Sequence, residues 1–511
     1  MSLTSSMNIA QQALLVNEAA LNVVSNNISN VNTIGYSRQR VCLSANVNHT
    51  SFGGSAYLQA YSGTGVNIDR VERYTDAYLQ SYYRQQNSLY NYLNQAANIA
   101  SNVEDIMNEL NGTGLQAAFT SFFEAAQTLN LNPSDISARQ NYAQQVQTVA
   151  MKFNELGSSL KDARTALVGD VNEFGSLQSS KIYSLTTLAN EKLQEIAKAN
   201  ADIVKISSPG MLPSGLLDTR DQLIEELSQL VPVSIVENSN GSVNLSINGI
   251  EMIKGSQQTG TLDVVAGSQS EPAIIRVKDL QGEVVYSNIN SYLNSGSIGA
   301  VIDMASEEGD VLTIKSTMKN LDKLAKGFSD IINRIQTQVI DGKTSLAIDK
   351  DTMLLTDATE NIFESSDGEE INALNIRVNS DILEDPYLIA AARLDKTDPN
   401  YSAGAIGNNS NMLMVLDVRT NGSSELDNFS PESFLSQMVG DIGLKTASIN
   451  SSLKSQSAVL SQVSSQLSSA TGVNINEEVI DLTKYQAAYQ ASARVYSVCN
   501  DLLDVLLNLG R

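Results

Sequence analysis

Few residues of this 511-residue chain could carry chemistry, and those few are scattered. The single histidine, His49, lies in a polar stretch, where a solvated side chain is far more common than a catalytic base. The two cysteines, Cys42 and Cys499, are too few for a disulfide framework. They lie in opposite terminal segments, so a bridge between them is conceivable, but free buried thiols are the expectation.

The acidic segments 349–351 and 395–398 carry carboxylates at short spacing, as calcium loops do. Neither segment has the further ligands, or the glycine at the required offset, so both are expected to be solvated loops. Motifs for zinc hydrolases, nucleoside triphosphates and dinucleotides are missing. The sequence therefore predicts no catalytic residues, no metal site and no cofactor, and the chain is not expected to be an enzyme.

The charge of the chain excludes two classes of partner. A net charge of −23 and an isoelectric point near 4.4 argue against nucleic acid and against anionic membrane surfaces. The start lacks a basic segment followed by an apolar run, and no stretch reaches the ~18–20 apolar residues of a membrane span. A cytosolic protein is expected, unless it leaves the cell by a route without a cleaved signal. Residues 1–50 carry only Glu18, Arg38 and Arg40 as charged side chains, so this end would repel a copy of itself little.

Both ends of the chain carry the same heptad pattern, with apolar positions at alternating steps of three and four. Such a seam needs a second helix to cover it, and the simplest partner for each end is the other end. The sequence therefore predicts an antiparallel pair of terminal helices, whose open sides could be completed by neighbouring subunits. The N-terminal positions are Leu3, Met7, Ala10, Leu14, Asn17, Leu21, Val24, Ile28 and Val31, and the C-terminal positions are Ile475, Val479, Leu482, Gln486, Tyr489, Ala493, Tyr496, Asn500, Leu503 and Leu507.

Between the ends, the residue periodicity changes twice. Residues 115–206 are predicted to be helical almost throughout, with Asn132 capping a helix that Pro133 opens. Near residue 230 the period becomes two, and two hairpins are predicted within a β-rich region that ends near 315. Helix returns at 321–339, and a further heptad helix starts at Ser430.

These patterns predict an α+β multidomain fold, with long helical-bundle and coiled-coil terminal and rod domains and an inserted β-rich outer domain. Four units are expected. Residues 1–35 with 475–511 form the terminal coiled-coil assembly segments, and 36–229 with 317–340 and 430–474 form a rod domain of long helices. Residues 230–316 form the β-rich insertion, and 341–429 form a second inserted region of mixed and uncertain fold.

Three short motifs carry a resemblance to a known family. The motif at 26–39 resembles the N-terminal signature of bacterial flagellar rod, hook and hook-associated proteins, with Ile34 where the family usually has proline. The motif at 217–223 and the C-terminal motif, 472–478 followed by 485–495, are similar to the hook–filament junction branch of that family, as is the extension Tyr36-Ser37-Arg38-Gln39. The family motif positions are Asn26, Asn27, Asn30, Asn32, Gly35, Tyr36, Tyr485, Gln486, Tyr489, Gln490 and Ala493.

The resemblance implies a structural subunit of the flagellum that joins hook to filament. It implies export through the flagellar type III apparatus without a cleaved signal peptide, and an extracellular place at the hook–filament junction. Expected partners are further copies of the chain in a helical or ring-like layer, the hook protein, a second junction protein and an export chaperone on the C-terminal helix. No nucleic acid and no membrane insertion are expected.

The resemblance also implies that the terminal helices order only on assembly. Two other interpretations stay open. One is a hook or distal-rod subunit of the same family, and the other is an enzyme or adhesin domain in the β-rich middle.

Overall fold

The structure is a computed structural model that describes residues 3–48, 62–107, 114–207, 213–267, 273–306 and 313–509. In these ranges the helices are α1 Leu3–Ser29, α2 Ala77–Met107, α3 Leu115–Leu131, α4 Ile136–Val168, α5 Ser176–Ser179, α6 Lys181–Ile206, α7 Ser214–Leu230, α8 Gly296–Ala305, α9 Ile314–Thr337, α10 Ser380–Glu384, α11 Ser410–Asp417, α12 Pro431–Thr471 and α13 Ile475–Leu509. The strands are β1 Gln39–Asn48, β2 Ser62–Arg73, β3 Val233–Glu237, β4 Val243–Ile247, β5 Ile250–Lys254, β6 Gln257–Gln258, β7 Thr261–Val265, β8 Ile274–Lys278, β9 Val284–Tyr286, β10 Thr344–Asp349, β11 Leu354–Asp357, β12 Phe363–Ser365, β13 Ile376–Val378 and β14 Ala392–Leu394.

Long helices and small antiparallel sheets confirm the predicted α+β multidomain fold. The helical body is built from α2, α3, α4, α6, α7, α8, α9 and α12 around one continuous apolar core. At its centre Phe328 of α9 meets Phe119 and Phe122 of α3 edge to face, with ring centroids 5.0 and 5.4 Å apart. Such aromatic pairs contribute about 0.5–1.5 kcal/mol each beyond the area they bury.

Helix α12 lies along α2 through a regular heptad, as its sequence predicts. Positions seven residues apart are buried: Leu435, Ile442, Ile449, Gln456 and Val463. The polar member of this row, Gln456, donates from its side-chain amide to the carbonyl of residue 86, 3.1 Å away. Ser430 accepts a bond from the backbone of Ser433 and so caps the helix at its predicted start.

The predicted start of the long helix at Asn132 is wrong. Helix α4 begins at Ile136, and its N-cap is Asp135, whose carboxylate accepts from the amide of Ser137 at 2.9 Å. Asn132 instead follows the end of α3. The physical reason is Arg139, a buried side chain that donates to the carbonyl of Pro133 at 2.8 Å and so holds the proline in the turn.

Both predicted hairpins form. Strand β3 pairs with β4 in the register Val233↔Ile247, within a four-stranded sheet of order β3-β4-β5-β6, and β8 lies between β7 and β9. The same stretch also contains α8, whose apolar side chains are buried against α2. Residues 298–304 are apolar almost all round, so no helical stripe marks them as a helix in the sequence.

Residues 341–429 form the sheet β11-β10-β14, the hairpin β12–β13 and the helices α10 and α11. Two buried arginines tie this region to the body. Arg139 donates to the carbonyl of Ile389 at 2.6 Å, and Arg393 donates to the carbonyl of Ile335 at 2.7 Å. The region is therefore anchored on α4 and α9 through charged donors on backbone carbonyls.

Candidate assembly interface

The two ends of the chain meet, as their heptad patterns predict. Helix α1 packs along α13, and the last turns of α1 lie beside the first turns of α13, so the two helices run antiparallel. The ribbon of β1 and β2 packs against α1 and starts in the register Gln39↔Arg73. Together α1, β1, β2 and α13 are called the terminal module below.

Asn27 is the centre of the contact between the two ends. Its side chain is only 1 % exposed and makes four hydrogen bonds. The amide nitrogen donates to the carbonyl of Gln39 at 2.8 Å and to the carboxylate of Glu478 at 2.9 Å. The amide oxygen accepts from the hydroxyl of Tyr36 at 2.8 Å and from the backbone of Gln39 at 3.0 Å. Every polar atom of this buried amide therefore has a partner, as burial requires.

Arg38 joins the ribbon to the first turns of α13. Its guanidinium donates to Glu478 at 2.6 Å and to Glu477 at 2.5 Å, and it approaches Asp481 at 3.7 Å. The carboxylate of Glu477, in the first turn of α13, therefore faces Arg38. Asn27, Tyr36, Arg38, Glu477 and Glu478 are called the hub.

The central motif at 217–223 lies next to the hub and joins it to the body. Arg73, at the end of β2, bonds Asp218 at 2.6 Å and Asp221 at 3.1 Å, and all three side chains are almost buried. Arg220 is fully buried and donates to Asp221 at 2.7 Å. Gly35 adopts a left-handed φ of +79°, and a Cβ built there would lie 3.5 Å from the side chain of Gln222. The three motifs that carry the family resemblance are therefore neighbours in space.

Burial raises the pKa of several groups where the hub meets the central motif and along α7. Burial, with the nearby carboxylates of Asp218 and Glu478, raises the pKa of Tyr36 to about 12. Burial also raises the pKa of Asp218, against the effect of its bonds to Arg73. Further along α7, burial raises the pKa of Glu225 to about 7, although the nearby guanidinium of Arg84 lowers it.

The predicted seam residues differ in their exposure. Val24 is buried. Ile475, Val479 and Tyr489 are exposed, and the side chain of Leu507 lies outside the described residues. The half-buried positions are Leu3, Met7, Leu14, Leu21, Ile28, Val31, Leu482, Tyr496 and Leu503.

The family motif residues also differ in their exposure to solvent. Asn27 is buried, and Asn30, Tyr36, Tyr485 and Ala493 are half-buried. Asn30 donates to the side chain of Asn26 and closes the end of α1 locally. Exposed members of the motifs are Asn26, Asn32, Gly35, Gln486, Tyr489 and Gln490.

Helix α13 has three faces of different chemistry. The face on α1 carries Glu478, Tyr485, Ser492, Cys499 and Leu503, and only Leu503 among these five is a predicted seam position. About 120° around the helix, a second apolar row has no cover in the described structure, and it is called the open stripe. It consists of Ile480, Val495, Val498, Leu502 and Val505, which are 48–65 % exposed. The remaining face is polar and includes Thr483, Gln490, Arg494, Asp501 and Asp504.

Sequence reasoning missed both the open stripe and the partners of the hub. The open stripe follows steps of three and four from Val495 onward, so this signal is present in the sequence. The partners of Glu478 and Arg73 are far away in the chain and no local pattern names them. Cys42 is half-buried and Cys499 is buried, and both are free thiols, so the conceivable bridge is not formed.

The described residues contain no cluster of three or more His, Cys, Asp or Glu side chains able to hold a metal ion. His49 lies outside them. Within the same ranges, no helix is both long enough and apolar enough to cross a bilayer.

Family models match three parts of the chain. Residues 7–36 match the flagella basal body rod protein, and residues 464–509 match the C-terminal model of the flagellar basal body rod FlgEFG proteins. Residues 100–349 match the flagellar hook-associated protein FlgK helical domain. The matched ends coincide with α1 and α13, and the helical-domain match covers much of the body.

Relatives that match over their full length indicate the same family as the helical-domain model. Flagellar hook-associated protein 1 of Bacillus subtilis is 27 % identical over 98 % of this chain and 97 % of its own length. The protein of the same name from Salmonella typhimurium is 27 % identical, and that from Escherichia coli is 26 % identical, each over 99 % of this chain and 100 % of the relative. The solved flagellar hook junction protein FlgK from Burkholderia pseudomallei superposes with a TM-score of 0.57 over 76 % of this chain and 99 % of that structure, at 14 % identity.

The fold and the joined ends are those of a flagellar axial protein, with rod-type termini enclosing a helical body. Within that class, the helical-domain match and the full-length relatives both indicate one family, that of the hook-associated proteins. The chain belongs to the family of flagellar hook-associated protein 1.

Proposed function

We propose that this chain is a structural subunit of the bacterial flagellum, which joins the hook to the filament by packing its terminal module against those of neighbouring copies. The observation that carries the proposal is the closed hub beside the open stripe. The hub fixes α13 on α1, and the open stripe leaves a second apolar row of α13 for a neighbour.

The charge and the apolar area of the terminal module favour self-association. Residues 1–76 contain four arginines and four acidic residues, and residues 475–511 contain three basic and five acidic residues, so these segments hold only −2 of the net charge of −23. Covering the half-exposed side chains of the open stripe would stabilise a contact by roughly 5 kcal/mol, at about 1 kcal/mol for each half-buried Val, Leu or Ile. Copies can therefore meet at their terminal modules without strong repulsion.

The predicted assembly residues have two roles in this proposal. Those half-buried between α1 and α13 hold the pair together inside one subunit. Ile475, Val479 and Tyr489, which stay exposed, flank the covered face of α13 and extend the surface offered to a neighbour. In the free subunit, the termini are proposed to be disordered and to order when neighbours cover them.

The partners follow from the family. We propose contacts with the hook protein on one side and with a second junction protein on the other. The chain is proposed to leave the cell through the flagellar export apparatus, without a cleaved signal peptide, and to lie outside the cell at the hook–filament junction. An export chaperone is proposed to bind the amphipathic helix α13 beforehand, which would shield the apolar residues of this helix from aggregation.

The proposed role requires no catalysis. The curated relatives are named as hook-associated proteins, and the described residues hold no metal-binding cluster. We therefore propose a structural role without enzyme activity for the β-rich region as well. Hydrolase activity on cell-wall material in the purified chain would contradict this.

A hook or distal-rod subunit is the second candidate, because the rod models match both ends of the chain. The match of residues 100–349 to the helical domain of a hook-associated protein favours the junction. The two candidates differ in the cells they rescue. A subunit of the rod or hook would restore hooks, whereas a junction subunit would restore filaments on hooks that already exist.

The test is complementation of a bacterial strain that builds hooks but sheds its filament subunits because it lacks the junction protein. The full chain is expected to restore attached filaments, seen by electron microscopy, while a chain without residues 475–511 is expected not to. The truncated chain should keep the helical circular dichroism and the melting transition of the body. Attached filaments with the truncated chain, or melting of the body together with the ends, would contradict the proposal.

Chaperone binding has its own test. Replacing Leu482, Tyr489 and Leu503 with serine should weaken both capture of the export chaperone and filament attachment. Replacing the exposed polar residues Thr483 and Gln490 with alanine is the matched control, which should leave both intact. Unchanged capture by the triple variant would place the chaperone site elsewhere.

A further inference from the structure

Two short segments of the described chain connect the terminal module to the body. One is 74–76, between β2 and α2, and the other is 472–474, between α12 and α13. The backbone of Arg38 is hydrogen-bonded at both. Its amide donates to the carbonyl of Thr471 at 2.9 Å, and its carbonyl accepts from the amide of Tyr74 at 2.8 Å. Arg38, a member of the hub, therefore lies where the terminal module meets the body.

The side chain of Tyr74 is shared by two arginines. The guanidinium carbon of Arg38 lies 5.1 Å from the centre of the tyrosine ring, and that of Arg40 lies 5.0 Å from it. Arg40 also donates to the tyrosine hydroxyl at 3.2 Å. The face of an aromatic ring attracts a guanidinium at such distances, and it does so more strongly where water is excluded. The side chain of Arg38 is 17 % exposed and that of Arg40 is 54 % exposed, so the ring contributes more to holding Arg38.

The position of Arg38 determines whether Glu478 can stay buried. The carboxylate of Glu478 is 1 % exposed, and among the described residues it bonds the guanidinium of Arg38 at 2.6 Å and the side-chain amide of Asn27 at 2.9 Å. A buried carboxylate that loses its cationic partner is costly. If the guanidinium turned away from α13, the hub would therefore open. The ring of Tyr74 opposes this turn, because the guanidinium would have to leave the ring face.

Tyr74 directly follows the residue that docks β2 on the body. Arg73 bonds Asp218 and Asp221 of α7 at 2.6 and 3.1 Å. Successive side chains of an extended chain point to opposite sides, and here the first contacts the body while the second contacts the hub. Because the two residues share a peptide bond, docking of Arg73 fixes the point from which the ring of Tyr74 reaches Arg38.

We propose that Tyr74 is a positioning residue of the hub, which holds the guanidinium of Arg38 on Glu477 and Glu478. Through its neighbour Arg73, it also makes closure of the hub depend on docking of β2 on the body. The terminal module then closes in one orientation relative to the body, and all copies in a regular layer must share that orientation. The inference rests on the proposed function, because assembly requires the terminal module to close.

Replacement of the ring tests this in the strain that lacks the junction protein. Each full-length variant is expressed from an inducible promoter, and the fraction of hooks with filaments is counted against the amount of exported subunit. Tyr74→Leu should need about fivefold to thirtyfold more subunit for half-maximal attachment, which is the factor that a ring contributes to holding a partly desolvated guanidinium. Tyr74→Phe keeps the ring face and should stay within about twofold of the unaltered chain. The matched control is Tyr78→Leu, at an exposed tyrosine of α2, which should behave as the unaltered chain.

A cycle of variants distinguishes positioning of Arg38 from a general structural contribution. If the ring acts through this arginine, Tyr74→Leu should add little to Arg38→Gln, whereas independent effects would multiply. Should Arg38→Gln give no attached filaments, Glu477→Gln replaces it in the cycle, because it removes only the more exposed carboxylate partner. The factor by which Arg73→Met raises the demand for subunit should likewise be smaller in a Tyr74→Leu chain than in a chain that keeps the tyrosine.

Equal demand for subunit by Tyr74→Leu and the unaltered chain would overturn the inference and leave the proposed function standing. So would factors that multiply fully in either cycle, or a Tyr74→Phe chain as defective as Tyr74→Leu. Loss of the body's melting transition in purified Tyr74→Leu would also overturn it, because the tyrosine would then support the whole subunit. Failure of the unaltered chain to restore any filaments would instead contradict the proposed function.

Discussion

The hydrogen bonds of Asn27 allow the effect of its replacement on closure of the terminal module to be predicted quantitatively. Asn27→Ala removes four hydrogen bonds, two of them with the backbone of Gln39, one with the hydroxyl of Tyr36 and one with the carboxylate of Glu478. At about 1 kcal/mol for each bond, the closed form of the terminal module should lose about 3–4 kcal/mol, since the groups left behind are partly buried. Every 1.4 kcal/mol is a factor of ten, so the ratio of closed to open ends should fall by more than about 100-fold.

The assay is filament attachment as a function of subunit supply. The chain is expressed from an inducible promoter in the strain that lacks the junction protein, and the fraction of hooks with filaments is counted against subunit level. The asparagine variant should need at least about ten times more subunit for half-maximal attachment, since part of the lost free energy is recovered by the neighbours. The matched control is Asn22→Ala, which changes the same residue type in an exposed position of α1 and should behave as the unaltered chain.

Equal supply curves for the two asparagine variants would refute the reasoning, because they would show that closure of the hub is not coupled to assembly. Loss of the body's thermal transition in Asn27→Ala would refute it in another way. The hub would then be part of the stability of the whole subunit rather than of its ends.

Two further perturbations test the joint between the terminal module and the body. Arg73→Met leaves Asp218 and Asp221 buried without this arginine and should lower the free energy of unfolding in urea by about 3 kcal/mol, whereas the exposed Arg70→Met should change it by less than about 1 kcal/mol. Glu225 has a folded pKa of about 7, above the ordinary value of 4.5, so the folded protein keeps a proton that the unfolded chain has lost between these pH values. The free energy of unfolding should therefore fall as pH rises from about 4.5 to about 7, and Glu225→Gln should flatten this fall and stabilise the protein at pH 8 by at most about 3 kcal/mol. Indistinguishable urea curves for the two arginine variants, or an unchanged pH slope in the glutamine variant, would contradict these predictions.

Local patterns in the sequence predict much of the fold, and their failures have physical causes. Period-two runs locate both hairpins, and a serine followed by proline locates the start of α12. The helix α8 has no such signal, because a helix buried on all sides shows no amphipathic stripe. The true cap of α4 is invisible for a different reason, since a buried arginine side chain fixes the preceding turn.

The site is predictable only in part, because its partners are distant in the chain. The heptads at the two ends identify which helices pair, since a seam of that period needs a second helix. They do not identify the residues of the hub, because the bond between Asn27 and Glu478 joins positions 451 residues apart. They also leave the rotation of α13 on α1 uncertain, because four of the five residues on its covered face are neighbours of predicted seam positions and not seam positions themselves.

The chemistry of the hub explains how α1 and α13 can pair in one register only and still separate. An apolar contact between two heptad helices tolerates a shift of one heptad, since each seam position meets an equivalent one. The buried Glu478 does not tolerate this, because any shifted register takes its carboxylate away from the Asn27 amide and the Arg38 guanidinium in a dry site. When the ends open, water replaces these hydrogen bonds, so opening costs only about 1 kcal/mol for each bond. The polar groups of the hub therefore select one register of α1 on α13 in the closed subunit. Most of the free energy that favours closure comes instead from the apolar surfaces that neighbouring copies cover.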